Sequence, residues 1–123
     1  MVAHQDKPLV YCTSQAKWHD WLAENHAVSD GVRVQLVKKS STKPGISYAE
    51  ALDEALCFGW IDGQASSLDD DFFLQAFTPR RKRSPWSQRN RDHVARLTAE
   101  GRMQPAGVAQ VDAAKADGRW DAA

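Results

Sequence analysis

Residues able to do chemistry concentrate in two stretches, "WID" at residues 60–62 and "PRRKRSPWSQRN" at residues 79–90. Indole rings can stack on a planar ligand, guanidinium groups can donate paired hydrogen bonds to an anion, and an amide can fix orientation. Free N–H groups at a helix start would add donors. These residue types predict a non-catalytic site for a small anionic or nucleotide-like ligand. The candidate lining residues are Trp60, Asp62, Arg80, Arg81, Trp86, Ser87 and Asn90.

A purely structural explanation competes with each of these assignments. Asp62 beside the arginines would be an ion pair, the tryptophans would be packing residues, and the basic run would be a solvated loop. Ser87 would cap a helix whatever else it does. Asn90 is the residue that packing explains least, because a buried amide needs hydrogen-bond partners.

An enzyme is the first alternative function, with Asp62 as a general base beside Arg80. A partly buried carboxylate can have its pKa raised toward neutrality, which is what a general base needs. The sequence offers no second carboxylate at suitable spacing and no nucleophile motif, so we assign no catalytic residue. Cys57 falls at the end of a predicted helix, where the helix dipole disfavours a thiolate, and we predict a buried, inert thiol.

The charge distribution raises nucleic-acid binding as the second alternative. Residues 50–78 carry seven acidic residues and no Lys or Arg, whereas residues 80–96 carry seven basic residues and one acid. The basic segment could contact phosphates. The formal net charge of the chain is nevertheless zero, and the acidic segment lies next to the basic one. We therefore do not expect nucleic acid as a partner.

Other partners and cofactors find little support in the composition. Two cysteines and four scattered histidines show no metal-ligand spacing, so we predict neither a metal nor a cofactor. No apolar run is long enough to cross a membrane, and the first residues lack the pattern of a secretory signal. We expect a single domain over residues 1–123 in the cytoplasm. The sequence does not indicate an oligomeric state.

Seven elements are predicted to position the candidate residues, in the order α-β-α-β-β-α-α. Ser14 and Ser47 cap the first two helices, and Gly59 ends the second. Residues 60–67 and 72–78 form an antiparallel hairpin around "LDDD", which places Trp60 near Pro79 and the basic loop. Ser84 and Pro85 open the third helix, Pro105 opens the fourth, and "DGRWDAA" trails off.

These elements predict an α+β fold, a small antiparallel three-stranded sheet packed against about four helices. A competing hairpin would turn at Asp62-Gly63, which is a favourable turn dipeptide. The later turn is preferred because three consecutive aspartates suit a strand poorly. The predicted core consists of Trp18, Leu22, Val34, Leu36, Leu52, Leu56, Ile61, Phe72, Leu74 and Leu97.

Two motifs resemble the YdeI/OmpD-associated family, also called bacteriocin-protection proteins. They are "EALCFGWIDG" and the later "PRR…S.WS..N" element, and the resemblance extends back to "GVRVQLVKK". It covers nearly the whole chain, and the combination of the two motifs is specific. The resemblance implies a stress-protection role without a known reaction.

Overall fold

The computed structural model describes residues 7–121 as helices packed with a mixed β-sheet, which confirms the α+β class. The predicted order of helices and strands is present, with one strand added before it and one short 3-10 helix after it. The elements are β1 (Leu9–Val10), α1 (Gln15–Asn25), β2 (Val32–Val37), α2 (Tyr48–Cys57), β3 (Trp60–Ser67), β4 (Phe72–Pro79), α3 (Gln88–Ala99), α4 (Pro105–Ala116) and the 3-10 helix η1 (Arg119–Asp121).

The sheet has four strands in the order β1-β2-β4-β3, so the prediction of a three-stranded antiparallel sheet was wrong in its detail. The additional strand, β1, runs parallel to β2 and pairs Leu9 with Arg33 and Val10 with Val34. A strand of two residues is too short to show an alternating pattern, and β1 was therefore not predicted.

The hairpin of β3 and β4 has the predicted register. Trp60 lies opposite Pro79 and Asp62 lies opposite Phe77, and a bulge interrupts the pairing before Ala65. The backbone N–H of Arg80 donates to the carbonyl of Gly59 at 3.1 Å, one step beyond the last paired residues. The hairpin therefore delivers the basic loop directly from the end of β4.

The helix starts follow local capping chemistry. Ser14 accepts a hydrogen bond from the N–H of Lys17, and Ser47 forms the predicted capping box with Glu50. The predicted start of α3 at Ser84 was wrong, because Ser87 is the N-cap.

The displaced start of α3 has a visible cause in the basic loop. The hydroxyl of Ser84 accepts a hydrogen bond from Nη1 of Arg80 at 2.9 Å instead of capping the helix. Residues 80–86 consequently form a loop, and Trp86 precedes the helix that it was predicted to join.

The buried apolar residues form two clusters. The main core lies between the sheet and helices α1 and α2, and includes Trp18, Leu22, Val34 and Leu56. The second cluster contains Trp86, Val94, Val111 and Ala114. All predicted core residues are buried except two, which are only partly buried: Ile61 and Phe72.

Two glycines allow α4 to approach the end of α2. Gly59 has a φ of 78°, which a residue with a side chain rarely adopts, and this confirms the predicted glycine at the end of α2. A β-carbon on Gly107 would lie 2.2 Å from the carbonyl oxygen of Cys57. That carbonyl also accepts a hydrogen bond from the N–H of Gln104 at 3.0 Å. The two helices are thus in backbone contact.

We expect Gly107→Ala to lower the free energy of unfolding by about 2 kcal/mol or more, because the methyl group would force α4 away from α2. A loss of stability would be informative, since alanine inside an unconstrained helix is favoured over glycine by about 1 kcal/mol. Urea unfolding would measure the change. Val108→Ala, at the exposed neighbouring position, is the control. A neutral or stabilising Gly107→Ala would contradict the close approach.

Candidate functional site

Arg80 is a buried cation with an incomplete set of hydrogen bonds. It is the first residue after β4, and it is only 6% exposed. Nη1 donates to the hydroxyl of Ser84 at 2.9 Å and to the carbonyl of Pro85 at 3.2 Å. Among residues 7–121, Nε and Nη2 have no hydrogen-bond partner. Burial lowers the pKa of Arg80 to about 10.

The aromatic face of Trp86 partly compensates for this burial. The guanidinium carbon of Arg80 lies 3.6 Å from the centroid of the Trp86 ring, a close cation–π contact. The indole N–H of Trp86 is also buried without a partner in the described part of the chain. The pair therefore presents three buried N–H-bearing nitrogens that no acceptor in residues 7–121 satisfies.

Asp62 does not form the ion pair with Arg80 that a structural explanation would require. No carboxylate of the described residues lies within 4.0 Å of the Arg80 nitrogens, although the charge of Asp62 does favour the protonated guanidinium. Asp62 instead accepts a hydrogen bond from the hydroxyl of Tyr48 at 2.6 Å. Burial, reinforced by this bond and by the charge of Asp62, raises the pKa of Tyr48 to about 12. One carboxylate oxygen of Asp62 is therefore already hydrogen-bonded to a neutral phenol.

We expect Tyr48 to ionise near pH 12 in the folded protein, against an ordinary value of 10.0. Ultraviolet absorbance against pH would follow this step, and Tyr48→Phe would identify it by removing it. Asp62→Asn should lower the pKa of Tyr48, because it removes the charge that opposes the phenolate. An unchanged titration curve in Asp62→Asn would contradict the coupling.

A cleft of about 470 Å³ opens beside the basic loop. Its lining combines three cations with one carboxylate and one small apolar residue: Lys82, Arg83, Ala113, Asp117 and Arg119. Nη1 of Arg119 donates to the backbone carbonyl of Ser84 at 2.9 Å. Because the hydroxyl of the same serine accepts from Arg80, Ser84 joins the wall of the cleft to the buried guanidinium.

The structure brings only some of the predicted site residues together. Arg80 and Trp86 are in contact. Trp60 is 1% exposed and packs in the main core, edge-on to Trp21, with ring centroids 5.9 Å apart. Since Trp60 and Trp86 belong to different clusters, they do not form the two walls of one stacking pocket.

The remaining predicted residues lie around the loop and the start of α3. Arg81 is exposed and does not line the cleft. Ser87 is exposed and caps α3, accepting a hydrogen bond from the N–H of Asn90 at 3.1 Å. Asn90 itself is half-buried on the first turn of that helix. The structure thus gives Ser87 a capping role.

Sequence reasoning missed the residues after α4 that line the cleft. Asp117 and Arg119 belong to "DGRWDAA", which was predicted to trail off, whereas residues 119–121 form η1. The ring of Trp120 lies 5.0 Å from that of Trp86, so this turn packs on the second cluster. The one local signal was a tryptophan beside charged residues, which is costly to leave fully in water.

Cys57 is buried close to a polar network around Glu54. Glu54 is 6% exposed and receives three hydrogen bonds at 2.7 Å, from Gln15, His19 and Arg102. Burial, followed by the charge of Glu54, raises the pKa of Cys57 to about 12. These contacts support the predicted inert thiol, because a protonated and covered sulfur is a poor nucleophile.

We expect Cys57 to resist alkylation in the folded protein. In a Cys12→Ser variant, iodoacetamide at about pH 8 should leave the native protein unmodified and modify it fully in guanidinium chloride. Intact mass would report both states. Above its ordinary pKa of 9.0 the unfolded thiol ionises while the folded one does not, so stability should decline toward pH 12. Rapid native labelling would contradict the assignment.

These features define a small α+β protein with a cationic cleft set against a buried guanidinium. The chain belongs to the family described as "Domain of unknown function (DUF8412)", whose model matches residues 10–110. No curated protein and no solved structure matches the chain. The family description does not mention the YdeI/OmpD-associated proteins, so that relationship stays a prediction.

Two further properties concern the whole of the described chain. No helix within residues 7–121 is long and apolar enough to cross a membrane. Over the same residues, no group of three or more His, Cys, Asp or Glu side chains is arranged to hold a metal ion.

Proposed function

We propose that this protein is a non-catalytic module that binds a small anionic ligand in the cleft lined by Lys82, Arg83 and Arg119. The observation that carries the proposal is the buried guanidinium of Arg80 with two unpartnered nitrogens in the described chain. A buried charge without a counterion is costly, and a ligand anion nearby would reduce that cost.

The electrostatics of the cleft support an anion in particular. Three of its five lining residues are cations, and Arg80 lies behind them through Ser84. Arg119 lowers the pKa of Arg80 further, after the larger effect of burial, so positive charges oppose one another at this place. An anion bound in the cleft beside Arg119 would reduce this repulsion. The volume of about 470 Å³ suits a small molecule.

The enzyme alternative has weaker support. Asp62 would have to act as a general base, but Tyr48 already donates to one of its oxygens at 2.6 Å. The nucleic-acid alternative rests on the basic segment 80–96, and Arg80 in that segment is buried and unable to reach a phosphate backbone. We keep cytoplasmic stress protection of the YdeI/OmpD-associated type as the proposed setting, on the strength of the two motifs quoted above.

The proposal can be tested with a pair of matched arginine variants. Arg83 lines the cleft and Arg81 does not, and both belong to the same exposed loop. Calorimetry and thermal shift would use a panel of phosphate, pyrophosphate, ATP and small carboxylates. We expect Arg83→Ala to weaken binding of an active compound about tenfold, or about 1.4 kcal/mol, and Arg81→Ala to leave it unchanged.

Two results would reject anion binding at this place. One is a panel in which no anion binds or stabilises the wild-type protein. The other is equal weakening by Arg81→Ala and Arg83→Ala, which would indicate general attraction to positive charge instead of a site. Repeating the titration at higher salt separates a binding site from general attraction, since loosely attracted ions are screened more strongly than those in a cleft.

A further inference from the structure

We infer that Asp117 is an internal anion that holds the place of the ligand, and that the ligand carries a dianionic phosphate group. This inference rests on the proposed function, because it names what the same cleft accepts and what it rejects.

Asp117 already engages the cation that a ligand would need. Nε of Arg119 donates to the two carboxylate oxygens of Asp117 at 2.9 and 2.8 Å. The backbone N–H of Arg119 also donates to Oδ1 at 3.1 Å. These hydrogen bonds, the backbone one first, lower the pKa of Asp117, so the carboxylate is ionised at neutral pH.

The carboxylate of Asp117 is nevertheless open to exchange. Its side chain is 48% exposed, whereas that of Arg119 is 16% exposed. The guanidinium is therefore fixed, partly by its bond to Ser84, while its anion lies at the solvent side. Among residues 7–121, Nη2 of Arg119 makes no hydrogen bond and stays free for a second acceptor.

This competition selects the chemical class of the ligand. An incoming monocarboxylate would offer Arg119 the same charge and the same two acceptors that Asp117 already provides, and it would gain little. A phosphate group carries up to two charges and three acceptor oxygens. It can therefore engage Arg119 together with Lys82 and Arg83, which a single carboxylate in the place of Asp117 does not do.

The discriminating experiment compares phenyl phosphate with benzoate, which share a ring and differ in the anionic group. By calorimetry, we expect wild-type protein to bind phenyl phosphate and to show no measurable affinity for benzoate. Asp117→Asn should tighten phenyl phosphate about tenfold and make benzoate binding measurable, because the internal competitor is gone. Asp112→Asn is the matched control, since it changes the net charge equally from an exposed position outside the cleft lining.

Inorganic phosphate as a third ligand identifies the source of the phosphate group. If inorganic phosphate binds more weakly than phenyl phosphate, the ligand is a phosphate ester. If the two bind equally well, the ligand is free phosphate. Both results support the inference. Benzoate binding the wild-type protein as tightly as phenyl phosphate would overturn the ligand class. Equal effects of Asp117→Asn and Asp112→Asn would overturn the role of Asp117 and leave the proposed function intact. If nothing binds either protein, the proposed function itself fails.

Discussion

The carbonyl oxygen of Cys57 occupies the space that a β-carbon on residue 107 would need. This contact fixes how closely α4 approaches the end of α2, and the position of α4 determines the second cluster. Val111 and Ala114 of α4 then cover Trp86, and the turn after α4 brings Arg119 to the carbonyl of Ser84. The cleft is thus a distant consequence of one backbone contact between two helices.

Arg80 shows how the same arrangement creates an unusual electrostatic environment. The last residues of β4 and the loop after it carry the guanidinium over the face of Trp86, where water is excluded. Two hydrogen bonds and a cation–π contact recover part of the lost hydration, and two nitrogens stay unsatisfied within the described residues. A hydrophobic side chain at position 80 would avoid this cost, so a buried arginine at this position lowers the stability of the fold.

Much of the fold could be predicted from local signals. The caps at Ser14 and Ser47 and the register of the hairpin follow from nearby residues, and these predictions were confirmed. The failures have long-range causes. Strand β1 exists only because β2 is there to pair with it. Ser84 lost the capping role to Ser87 because its hydroxyl binds Arg80, a contact that no periodic pattern encodes.

The candidate site was predictable to a similar extent, and for the same reason. Residue types and the hairpin register singled out Arg80 and Trp86, but their burial and the contact of the guanidinium with the Trp86 ring are visible only in the structure. Residue types could not separate Trp60 from Trp86, because an indole suits a core and a ligand platform equally well. Asp117 and Arg119 were missed because a charged turn near the end of a sequence looks solvated until α4 is positioned.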